Sequence, residues 1–173
     1  MPTVSRGLIS IFAVCALLAI AGCGSSGDSS SSTGSTSESS TPAKSEGSTN
    51  LNKKPKVEVP SGPAPKKLTE NEIVEGDGAE AKSGDEVTVQ YVGVGYESGE
   101  EFDSSWSRSE PFSFMLGAGQ VIPGWDQGVA GMKVGGRREL IIPSGLAYGP
   151  TGSPPVIGPN ETLIFVIDLL AVK

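Results

Sequence analysis

No histidine occurs among the 173 residues, and the two cysteines, Cys15 and Cys23, both lie close to the start. The missing imidazole excludes Ser-His-Asp and Cys-His nucleophilic machinery, HExxH zinc chemistry and any histidine general base. Beyond Cys23 there is no thiol to serve as a nucleophile, to close an intramolecular disulfide or to hold a metal. Positive charge is also scarce: 13 Lys and Arg stand against 20 Asp and Glu, a formal charge of -7. A nucleic-acid backbone requires clustered cations, so it is excluded as a partner. The longest apolar run, residues 8–21, is too short to cross a bilayer. With 24 Gly and 13 Pro the chain is rich in turns, which argues against a helical bundle.

What is present divides the chain into three. Residues 1–22 have the length and character of a signal peptide, with Arg6 ahead of the apolar run. The run ends in Ile20-Ala21-Gly22-Cys23, and small residues before a cysteine resemble a bacterial lipobox. That resemblance implies cleavage before Cys23 and acylation of its thiol and new amine; the other reading is an ordinary secretory signal with an incidental cysteine. Two or more acyl chains, at about 0.8 kcal/mol per buried methylene, would anchor the protein to a membrane without spanning it. Residues 23–63 are expected to form a tether. Its Ser-, Thr- and Gly-rich part has nothing to bury, and its Lys- and Pro-rich part is stiffer and extended. Residues 64–173 remain for one folded domain. From Leu68 onward there are 16 acids and 6 bases, so an acidic head follows a mildly basic tether.

The domain reads as β-rich. Val87, Val89 and Tyr91 alternate with Thr88 and Gln90, and Leu163, Phe165, Ile167 and Leu169 repeat the pattern near the C-terminus. Residues 111–116 and 137–143 read as further strands. Helical spacing occurs only over residues 123–132, where Pro123 suits a first turn and Trp125 and Val129 share a face. An antiparallel sheet with one short helix packed on it is the economical α+β arrangement. Phe114, Leu116, Val129 and Leu163 are expected in the core. Asp126 reads as a helix-start acid, and Arg137, Arg138 and Glu139 as a charged strand face.

Aromatic residues make up 6% of the chain, yet they concentrate in short Gly- and Pro-rich blocks, where rings tend to line a concave site. The blocks are Val89-Gln90-Tyr91-Val92-Gly93, Phe102-Asp103-Ser104-Ser105, Pro111-Phe112-Ser113-Phe114, Val121-Ile122-Pro123-Gly124-Trp125 and Ala147-Tyr148-Gly149, with Thr162-Leu163-Ile164-Phe165 closing the set. In order and spacing they resemble the FKBP family of peptidyl-prolyl cis-trans isomerases over residues 66–173. The resemblance implies a strongly curved antiparallel sheet wrapped around one short α-helix. It implies a pocket with Trp125 as floor and Tyr91, Phe102, Phe112 and Phe165 as walls. Val121 and Ile122 would line the rim, with the Ile122 amide as a donor. Asp103 would sit at the mouth with Arg108 as its ionic partner, Tyr148 would offer its hydroxyl, and Ile157 would belong to a flap.

Catalysis of X-Pro isomerisation would fall to Tyr91, Phe102, Asp103 and Tyr148, and proline binding to the rest, with no cofactor and no metal. The clients implied are unfolded or proline-containing exported polypeptides, met by a monomer outside the cytoplasm; macrolide inhibitors would fit the same pocket. A non-catalytic proline-binding or chaperone module on the same fold is the alternative. Two departures from the family pattern bear on substrate choice: Ser153 stands where some members carry histidine, and the loop over residues 93–99 is one residue longer than in the shortest members. No insertion large enough for a separate chaperone domain interrupts residues 147–156.

Overall fold

The computed structural model describes residues 49–173. The expected signal peptide, Cys23 and the Ser-rich part of the tether lie outside the described residues. Six strands and two short α-helices follow one another as β1 (Thr69–Val74), β2 (Glu86–Gly95), β3 (Glu101–Ser104), α1 (Ser105–Arg108), β4 (Phe112–Met115), α2 (Pro123–Gly128), β5 (Arg137–Ile142) and β6 (Leu163–Val172). One turn of 3-10 helix, Ser144–Leu146, follows β5. All pairings are antiparallel, in the order β1-β5-β6-β2-β3, with β4 also on β2.

β2 is the spine. β6 flanks it along one edge, while β4 takes the first half of its other edge and β3 the second. Its alternation places Val87, Val89 and Tyr91 on the inner face, and β6 adds Leu163, Phe165, Ile167 and Leu169. The sheet curves around α2, whose Trp125 joins this core with Phe114, Leu116 and Val129. Pro123 opens α2, where its fixed φ costs nothing. A Cβ on Gly124 would lie 2.4 Å from Ile142 Cγ2, so glycine lets the helix backbone rest directly on β5.

α2 ends at Gly128, four residues before the periodicity predicts. Beyond Val129 the backbone turns outward: the Gly131 N–H donates to Ala81 O at 2.9 Å and Met132 N–H to Val129 O at 3.1 Å. A tertiary partner thus replaces the helical one, while Val129 and Met132 stay buried in the core.

The outer face of the sheet is covered as well. Val92, Val94, Tyr96, Ile141 and Ile164 form a second apolar cluster, and Val57, Ala64 and Trp106 pack against it. Residues 53–59, expected as part of the tether, therefore run along the domain, with Pro55 buried. This covering overturns the charged strand face expected at Arg137 and Glu139. The Arg137 side chain is 0% exposed and grips Asp168, its cross-strand neighbour, through both Nε and Nη2, the latter at 2.6 Å. Glu139 is buried too, and its Oε2 accepts from Asn71 Nδ2 at 2.8 Å. Arg138 points to the inner side, where its Nη1 donates to Gly128 O, the last carbonyl of α2, at 2.8 Å.

Candidate active site

Where β2, β3, β4, β6 and the start of α2 converge, a cavity of about 210 Å3 opens to solvent. Its lining is Tyr91, Phe102, Asp103, Phe112, Gln120, Val121, Ile122, Trp125, Tyr148 and Phe165. Trp125 meets Tyr91 edge-on at 5.0 Å between ring centroids and Phe165 at 5.2 Å; Phe102 stands across Phe165 at 5.5 Å. Such edge-to-face contacts fix ring orientation as well as burying area. Gly93 makes the Phe102–Phe165 contact possible, because a Cβ there would come within 2.7 Å of both rings. A larger, more open groove of about 810 Å3 lies along residues 64–68, Gln127 and Pro143, but no aromatic side chain lines it.

Two sets of polar groups stand at the cavity, besides the buried Trp125 Nε1, which has no hydrogen-bond partner among the described residues. In the first, the Tyr91 hydroxyl donates to Asp103 Oδ2 and accepts from Arg108 Nη2 at 2.7 Å, and Arg108 pairs with Asp103 in turn. The Arg108 guanidinium also sits over the Tyr91 ring, 5.6 Å from its centroid. Ser105, fully buried, accepts from the Tyr91 N–H at 2.8 Å and locks α1 to β2. In the second set, the Tyr148 hydroxyl and the Ile122 N–H have no hydrogen-bond partner among the described residues. Burial pushes the Tyr91 phenol up, and the Asp103 hydrogen bond adds to it while Arg108 opposes. Burial likewise raises Tyr148, with the Asp103 charge adding to the shift.

The loop that carries Val121 and Ile122 is pinned from below. Asp126, in the first turn of α2, accepts from Gly117 N–H at 2.8 Å and Gly119 N–H at 3.0 Å, and Gln120 Oε1 accepts from Met115 N–H at 3.0 Å. Asp126 is thus a loop anchor in addition to a helix-start acid.

Residues 78–170 match the family described as FKBP-type peptidyl-prolyl cis-trans isomerase. Over 120 residues the chain is 61% identical to an FK506-binding protein of Streptomyces anulatus, which covers 69% of this chain and 97% of that one. Over 93 residues it is 57% identical to the peptidyl-prolyl cis-trans isomerase FPR2 of Saccharomyces cerevisiae, covering 54% of this chain and 69% of that one. The chain belongs to the FKBP-type peptidyl-prolyl cis-trans isomerases. The crystal structure of FkpA from Escherichia coli is similar to this isomerase with a TM-score of 0.56 and 44% identity, over 61% of this chain and 48% of that one.

The isomerase fold brings together every residue singled out for the pocket except Ile157. That side chain is 6% exposed and belongs to the core, while its neighbour Val156 is 59% exposed. A tight turn sets the difference: Ser153 and Ile157 exchange hydrogen bonds at 2.9 and 3.0 Å, which turns Ile157 inward. Gln120 lines the cavity and was missed; its only sequence signal is that it immediately precedes Val121. Among the described residues no cluster of acids, His or Cys could hold a metal ion.

Proposed function

We propose that this isomerase seats the proline of an X-Pro segment in the ring-lined cavity, over Trp125, and eases rotation of the preceding imide bond without a covalent step. Twisting a peptide bond costs about 18–20 kcal/mol because amide resonance is lost, and the uncatalysed X-Pro step takes tens to hundreds of seconds. The planar imide carries more charge separation than the twisted one, and water stabilises it through the carbonyl. A slot walled by Tyr91, Phe102, Phe112 and Phe165 strips that water away, while the proline ring gains contact with Trp125. About 5 kcal/mol removed from the barrier would give between three and four decades of rate.

The observation that carries this reading is the pair of uncommitted donors, the Ile122 N–H and the Tyr148 hydroxyl, on a cavity where Tyr91, Asp103 and Arg108 are already committed to one another. Two fixed donors can hold substrate carbonyls while the imide turns. Asp103, held by Arg108 and Tyr91, places a negative edge at the mouth. Macrolides of the kind that gives the bacterial relative its name would compete for the same slot. A protease-coupled assay of a Leu-Pro peptide tests the proposal. The purified protein should accelerate its isomerisation, and Phe102→Ala should lose at least tenfold in kcat/KM while keeping its melting temperature within a few degrees. Wild-type rates in a folded Phe102→Ala protein would place the reaction elsewhere, and macrolide binding without acceleration would make the domain a binding module.

The clients we propose are exported polypeptides, and the position is a membrane surface reached through a lipid on Cys23. The support is the short apolar leader ending in Ala21-Gly22-Cys23. Cys23→Ser should move the protein from the membrane to the soluble fraction or leave it unprocessed. Unchanged labelling by radioactive palmitate in that variant would overturn the anchor.

A further inference from the structure

The segment that carries Phe102, Asp103 and Arg108 has little to hold it locally. β3 is four residues long and pairs only with β2; α1 is a single turn whose N-cap, Ser104, makes no side-chain capping bond. A helix this short has no stability of its own in water. Part of the support comes from Ser105 and from the Arg108–Asp103–Tyr91 set. The remainder comes from a distant part of the chain. Lys54 Nζ donates to Glu101 Oε1 at 2.8 Å and to Ser107 Oγ at 3.2 Å, and Ser107 Oγ donates to the same carboxylate at 3.2 Å. Glu101 immediately precedes Phe102, and Ser107 immediately precedes Arg108, so one ammonium closes both ends of the segment.

Lys54 is itself placed by its neighbours. Lys53 O accepts from the buried Arg137 guanidinium at 3.1 Å, Pro55 is buried, and Val57 packs on the outer cluster, as does Trp106 of α1. We propose that residues 53–57 are a strap over the outer face of the sheet, and that Lys54 is a positioning residue for Phe102 and Asp103. The inference rests on the slot proposed above as the place of reaction. The Lys54–Glu101 pair is more than a third exposed on each side, so its net contribution to stability is small. Its effect falls on geometry: a ring or carboxylate displaced by a fraction of an ångström costs rate even when the fold is intact.

The test uses the whole protein with Lys54→Met, Glu101→Gln and both together. Each single variant should lose three- to tenfold in kcat/KM, mostly in kcat, with the melting temperature unchanged within about 2 °C. The double variant should be no worse than the weaker single, because both changes break one bridge. Lys54→Arg should keep most of the activity. Lys56→Met should keep all of it, because among the described residues the Lys56 ammonium reaches only Glu58, at 3.7 Å. Wild-type kinetics in the single variants, multiplicative losses in the double, or an equal loss in Lys56→Met would each overturn the strap. Failure of the slot itself shows separately, as undiminished rates in Phe102→Ala.

Discussion

Tyr91 and Tyr148 bring the same phenol to one cavity, yet only one of the two is free to act on a substrate. The Tyr91 hydroxyl is occupied by Asp103 and Arg108, so it serves to hold the mouth. The Tyr148 hydroxyl has no partner among the described residues on a side chain 41% exposed at the rim. Removing it with Tyr148→Phe forfeits one neutral hydrogen bond, worth about 0.5–1.5 kcal/mol, so kcat/KM should fall roughly two- to tenfold with no change in fold. The pH profile follows from the same groups. Both phenols sit above their ordinary value, chiefly through burial, so each keeps its proton well past neutrality. With no histidine in the chain, kcat/KM measured from pH 6 to 9 should be flat. A limb near pH 7, or full activity in Tyr148→Phe, would remove the hydroxyl from the reaction. That aromatic rings line a concave site was legible because aromatics are so few that their clustering stood out; that these rings share one cavity was legible only through the family resemblance. The facing of Val156 and Ile157 was not, since two adjacent apolar residues in a Pro-rich turn carry no period to say which points inward. Gln120 was hidden for a related reason: a polar residue in a loop looks solvent-bound until its neighbours are placed.

At the scale of elements, periodicity told most where both the pattern and the partners were strong. β2 and β6 alternate cleanly and pair along most of their length, so their inner faces could be named before their neighbours were known. β1 could not, because Thr69-Glu70-Asn71-Glu72-Ile73-Val74 has no apolar alternation. It is an edge strand held by β5 and by Arg138, whose guanidinium reaches Glu72 at 2.7 Å and Glu70 at 3.3 Å. Charged side chains on such an edge also discourage another chain from adding to it. α1 left no signal either, since a single turn is too short to show a repeat; what makes it helical is the anchoring of Ser105 to β2 and of Trp106 to the outer cluster. The overlong reading of α2 has the opposite cause. Val129 and Met132 are both buried, which continues a helical spacing, but they reach the core from a turn bonded to Ala81. Burial spacing and helical hydrogen bonding coincide through Gly128 and then part.

For the molecule as a whole, the consequential surprise is that both faces of the sheet are covered. A six-stranded sheet around one helix predicts a wet outer face, and the charges of β5 fitted that expectation. The covering comes from Ala64, from Trp106 of α1 and from Val57, the last in a stretch whose composition reads as tether. It converts Arg137, Asp168 and Glu139 from surface charges into interior ones. The Arg137–Asp168 pair offsets its own desolvation with a two-pronged contact. Among the described residues Glu139 has no cation; one oxygen accepts from Asn71 and the other, Oε1, is buried without a partner.

Burial therefore pushes the Glu139 carboxyl up; the Asn71 hydrogen bond opposes the shift and the Glu58 charge adds to it. A carboxyl raised on folding binds its proton more tightly in the native state than in the unfolded one. Between the two values the native protein carries the extra proton, so stability falls as pH rises through that window. The contribution is present at acid pH and lost as pH rises through the folded-state value, amounting to about 1.4 kcal/mol for each unit of difference. Glu139→Gln removes the titration while leaving an oxygen for Asn71. Urea unfolding of the two proteins between pH 4 and 8 exposes the effect as a difference between them, because they differ only at position 139. The wild-type protein should gain stability over the variant as the pH is lowered. A difference that is constant across the range would show that Glu139 is reached by water in the folded state, and that the strap does not seal the outer face over it.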